Sequence, residues 1–90
     1  MQFKSNIQIK QIGGESVLVS YDDREINYTR VITLNESAEY LISQSLDEKL
    51  FSPMIWRDLL STKYGISKER ALVDTLALIE KLKEADVLVL

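Results

Sequence analysis

Apolar residues change their spacing once along this chain, near residue 35. Before that point they alternate with polar ones. Ile7 and Ile9 alternate with Gln8 and Lys10, so residues 7–12 read as a β-strand. Gly13-Gly14 supplies a tight hairpin turn, because glycine accepts positive φ. "ESVLVSY" (15–21) reads as a second strand, "DDREIN" (22–27) as a polar connection, and "YTRVITL" (28–34) as a third strand rich in β-branched residues.

After residue 35 the spacing becomes helical. Asn35 is a good N-cap, Glu36 suits the positive end of a helix, and Ala38, Leu41, Ile42 and Leu46 share one face, which predicts a helix over 36–46. Ser52 then caps, with Pro53 at the first helical position, and a second helix runs over 53–64 with Ile55, Trp56, Leu59 and Leu60 inward. Gly65 is available for a left-handed C-cap. Ser67 caps a third helix that runs to about Glu84, and the apolar tail "DVLVL" (86–90) makes a fourth strand or a closing segment. Three strands followed by three helices predict an α+β fold in one domain over 1–90.

Two features of this pattern stand out. Alanine and aliphatic residues of the third helix, among them Ala71, Leu72, Leu76, Leu78, Ile79 and Leu82, sweep about 160° of its circumference, where packing on one surface needs only about 100°. The helix is therefore either buried on two sides or shares its stripe between a core and a groove. The other feature is the third strand, an edge of the meander that carries one charge, Arg30, and no proline. Natural sheet edges usually carry devices that block pairing. This edge is expected to be covered or to accept another strand.

Composition narrows the chemistry. The apolar share of 46% can build a core, and three glycines with one proline argue against long disorder. The chain has no cysteine and no histidine, which removes thiol catalysis, disulfides, Cys/His zinc sites and imidazole bases. It has no 18-residue apolar run and no signal-peptide pattern, so the expectation is a cytoplasmic protein that does not enter a membrane. With a net charge of −3 and basic residues mixed among acidic ones, nucleic acid is not an expected partner. Asp22, Asp23 and Glu25 read as a solvated hairpin tip rather than a catalytic pair, and the serines lack an activating base. Tyr21, Tyr28, Tyr40 and Tyr64 read as half-buried aromatics. No catalytic residue, metal site or cofactor is expected, and the chain reads as a non-enzyme.

The order of these elements, with the Gly-Gly hairpin, "VLVS", "ITLNESAEYL" and "ALVDTLALIEKLKEADVL", resembles the PqqD family, the recognition elements for ribosomally made precursor peptides. The likeness spans about residues 7–88 and rests on Leu34-Asn35 followed by Ala38, and on Asp74 followed by Leu78, Ile79 and Leu82. Where the family usually has Asp-Gly between the first two helices, this chain has "SLDEKLFSP". Where it often has glycine after the third, this chain has Ala85-Asp86.

The resemblance implies a winged-helix-like domain that binds a precursor's leader peptide and presents it to a modifying enzyme, such as a radical SAM maturase or a protease. It implies that the leader adds as a strand along Arg30, Val31, Ile32 and Thr33, and rests on Leu72, Leu76 and Ile79 of the third helix. Ala71, Leu78 and Leu82 are the alternative flank. Other functions to weigh are a winged-helix DNA-binding protein and a structural subunit whose apolar strip packs on a larger complex.

Overall fold

In a computed structural model, residues 1–4, 6–21, 28–46 and 51–89 are described, with backbone alone at residues 21 and 28–31. Asp22, Asp23, Glu25 and the 22–27 connection lie outside the described residues, as does 47–50.

The elements run β1 (Gln2–Phe3), β2 (Ile7–Ile12), β3 (Glu15–Tyr21), β4 (Tyr28–Leu34), α1 (Glu36–Leu46), α2 (Pro53–Tyr64), α3 (Lys68–Glu84) and β5 (Leu88–Val89). The fold is α+β, a three-stranded antiparallel sheet followed by three helices. In the sheet β3 is central, and β4 is an edge strand. Leu18 lies between Ile9 and Ile32, which fixes the face turned to the helices. The register shifts between Ser20 and Tyr21, so the β3–β4 ladder is irregular at the far end of β4 and regular from Arg30 to Leu34.

Helix boundaries follow their caps. The Ala38 N–H donates to Asn35 Oδ1 at 2.8 Å, the Ile55 N–H to Ser52 Oγ at 3.3 Å, and the Arg70 N–H to Ser67 Oγ at 3.2 Å. Gly65 ends α2 at φ 65°, in the left-handed region. Helix α3 ends differently. Asp86 takes φ 58°, its N–H donates to the Lys83 carbonyl, and the Val87 N–H donates to the Leu82 carbonyl. That is a Schellman closure with aspartate in the position glycine usually holds.

The core joins Leu18 and Leu34 of the sheet, Ala38, Leu41 and Ile42 of α1, Trp56 and Leu60 of α2, and Ala71, Ile79 and Leu82 of α3. One polar pair sits inside it: the Trp56 Nε1–H donates to Ser45 Oγ at 2.7 Å, and the Ser45 hydroxyl donates to the Leu41 carbonyl. A second polar network pins α1 to the sheet. Ser16 Oγ donates to Glu39 Oε2 at 2.7 Å, and Gln11 Nε2 donates to both Ser16 Oγ and Glu39 Oε1.

The chain ends meet in a small second sheet. β1 pairs antiparallel with β5, placing Phe3 opposite Leu88. Phe3 stacks on Phe51 at 5.2 Å between ring centroids, and Phe51 lies nearly parallel on Trp56 at 4.4 Å. The apolar tail is thus both strand and closing segment, with Val87 and Leu88 buried. Its partner, β1, is two residues long and has no periodic signal in the sequence.

Candidate functional site

A cleft of about 260 Å³ opens where β4 runs into α1 and faces α3. Each wall follows from local sequence. The Asn35 cap turns the chain from strand into helix within one residue, so Ile32, Thr33 and Leu34 form one rim and Ser37 and Ala38 the next. The opposite wall is a single face of α3: Asp74, Ala77, Leu78 and Lys81, at spacings of three, four and seven residues. Leu41 of α1 and Leu60 of α2, both buried, form the floor with Leu34. The bottom is apolar, and the Asp74 and Lys81 side chains are exposed.

Among the described residues no strand pairs with the outer side of β4. Alternate residues of an edge strand turn their N–H and C=O groups outward. Along residues 30–33 that leaves about four backbone groups for a guest strand.

The residues singled out from the sequence fall in several places. Ile32 and Thr33 line the cleft. Arg30 and Val31 lie on the same edge strand, opposite Ser20 and Val19 of β3. Leu72, Leu76 and Ile79 do not line it. Ile79 is 3% exposed in the core, Leu76 is 49% exposed on a surface away from the cleft, and Leu72 is half-buried. Of the alternative flank, Leu78 lines the cleft, whereas Ala71 and Leu82 are buried in the core.

The reason is rotational. Ala71, Thr75, Ile79 and Leu82 mark the direction of the core. At 100° per residue, Leu72 and Leu76 fall to one side of that direction and Leu78 to the other. The cleft lies on the Leu78 side. Ala77 and Lys81 belong to the site without having been singled out. The signal that locates them is the helical set beginning at Asp74, which becomes legible once Leu78 is known to face β4.

The Tyr21 and Tyr28 side chains lie outside the described residues, and Tyr40 and Tyr64 offer no acid–base pair here. Tyr40 and Tyr64 meet edge to face at 6.4 Å, with Lys63 Nζ 4.9 Å from the centre of the Tyr40 ring. Desolvation first, then the charge of Glu36 and the neighbouring Tyr40, hold the Tyr64 hydroxyl above the usual tyrosine range. A phenol raised further above neutrality is a poorer proton donor at pH 7. Exposed α3 residues mix Lys68, Arg70, Lys81 and Lys83 with Glu69, Asp74, Glu80 and Glu84, so this helix presents no basic stripe. Among the described residues no group of three or more acidic side chains is placed to hold a metal ion, and no helix is long and apolar enough to cross a membrane.

No family model matches the chain, and no curated protein does. Among solved structures, it is similar to one described as "Lasso peptide synthetase B1 complexed with the leader peptide". The TM-score is 0.66 and the identity 25%, over 92% of this chain and 89% of that one, so the two share a fold across nearly their whole length.

Proposed function

We propose that this chain is a non-catalytic recognition domain of the PqqD kind. It binds the leader segment of a ribosomally synthesised precursor peptide and presents it to a modifying enzyme. The observation that carries this reading is a strand edge, unpaired among the described residues, that runs along the rim of a cleft with an apolar floor. The solved neighbour, described as bound to a leader peptide, supports it.

In this reading the leader pairs with β4 along Arg30, Val31, Ile32 and Thr33 and sends side chains toward Leu78 and Ala77. Leu72, Leu76 and Ile79 serve the packing of α3 or a different partner surface. The cleft, at about 260 Å³, lies below the roughly 300–1,000 Å³ of small-molecule sites. It suits a few side chains of a linear peptide. About four backbone hydrogen bonds at ~1 kcal/mol each are worth less than the roughly 8 kcal/mol of micromolar binding. Ordering the peptide costs about 2–5 kcal/mol more. Two or three apolar anchors at about 1.5–3 kcal/mol each supply the difference. Backbone pairing orients the guest, and the cleft reads its sequence.

The test is fluorescence anisotropy with the N-terminal segment of a precursor encoded beside this gene. N-methylating alternate amides of that segment removes donors without touching the protein. Strand addition predicts that one alternate set abolishes binding and the other leaves it within about threefold. Equal tolerance of both sets would refute it.

A further inference from the structure

The cleft wall carries two opposite charges with an apolar stretch between them. Asp74 and Lys81 stand at its two ends, with Ala77 and Leu78 between. Their separation along the helix axis is about 10.5 Å. Elsewhere on the surface, Lys4 pairs with Asp86, and Arg57 and Lys68 with Asp58. The Asp74 and Lys81 side chains make no ion pair and no hydrogen bond among the described residues.

An open strand edge by itself accepts a guest in either direction, because both parallel and antiparallel ladders satisfy it. A wall with a negative end and a positive end does not. A guest carrying charge at both ends of its anchor meets complementary charges one way round and like charges the other.

We propose that Asp74 and Lys81 select a leader whose cleft-facing aliphatic residue lies between a cationic and an anionic residue, and so fix the direction in which it docks. This rests on the strand-addition reading above. Side chains on one face of a strand recur every second residue, about 6.7 Å apart. The matching guest pattern is a cation, an aliphatic residue and an anion at alternate positions. The cation lies toward Asp74, and the anion within reach of the long Lys81 side chain. Both protein charges are exposed, so they contribute more to orientation and specificity than to affinity.

The experiment pans a displayed library of random short peptides on the wild-type chain and on the double variant Asp74→Lys with Lys81→Asp. Both positions are exposed, and circular dichroism checks that the variant folds. Enriched peptides are then synthesised, with and without alternate N-methylation, and measured at low and high salt. The expected result is that wild-type peptides bracket an aliphatic residue with opposite charges, and that the variant selects the inverted order. A wild-type peptide should bind the variant about tenfold more weakly, and about 0.5 M salt should shrink that gap. N-methyl-sensitive peptides with no charge order would overturn the directional role and leave strand addition standing. Failure to enrich any peptide, or enrichment only of N-methyl-insensitive ones, would overturn both.

Discussion

Among its described residues the molecule contains two antiparallel sheets that use the same backbone chemistry to opposite ends. The β1–β5 ladder is two residues long in each strand, and its register places Phe3 beside the stack of Phe51 and Trp56. Strands that short offer little template to another chain. In the larger sheet, β4 runs for seven residues and has no strand on its outer side among those described, while α3 faces its rim across a cleft with an apolar floor. One sheet ties the chain ends to the core. The other leaves an edge available. Burial makes the difference: where aromatic rings and the tail fill the space beside the strands, the sheet is structural. Where α3 turns its Leu78 flank toward β4, a cleft remains.

The largest break in this comparison comes from the aromatic stack. Trp56→Ala removes a fully buried indole and the donor to Ser45 Oγ, and is expected to cost about 3–5 kcal/mol in urea unfolding. Loss of that size would remove most of a small domain's stability. On the cleft side, Leu78→Ala should weaken leader binding about tenfold, while Leu76→Ala leaves binding unchanged; titration of both variants with one labelled leader compares them.

Smaller effects sharpen the boundary between the regions. Thr75 is fully buried on the core face of α3, and its hydroxyl finds no hydrogen-bond partner among the described residues. Thr75→Val keeps the shape and removes the unpaired hydroxyl, so stability should rise by about 1 kcal/mol with leader affinity unaltered. Asp86→Gly relieves a non-glycine residue at positive φ but loses the exposed pair with Lys4. The expected net gain is below about 1 kcal/mol, read as a small rise in Tm.

How much of this was legible in the sequence depended on whether the signal was local. Asn35, Ser52-Pro53, Gly65 and Ser67 each act within one turn of the chain, and the helices begin and end where those residues put them. Alternation around Ile9, Leu18 and Ile32 likewise gave the three long strands. The β1–β5 pairing joins residues more than eighty positions apart through two-residue strands, and no local pattern encodes it. The wide apolar stripe of α3 held the same kind of ambiguity. Its centre is the core, and its two flanks look alike in sequence. Only the position of β4 and α1 distinguishes Leu78, at the cleft, from Leu76, at the surface. The αL aspartate was illegible for a related reason: the Schellman bonds to Lys83 and Leu82 hold Asp86 in a conformation that its residue type does not announce.

The most direct measurement is an amide NMR titration of isotopically labelled protein with the leader of a precursor encoded nearby. Peptide capture at the cleft predicts shifts concentrated on β4 from Arg30 to Leu34, the start of α1, and the Asp74, Ala77, Leu78 and Lys81 face of α3, with the β1–β5 ladder unmoved. Shifts centred instead on Leu72 and Leu76, with β4 silent, would contradict it.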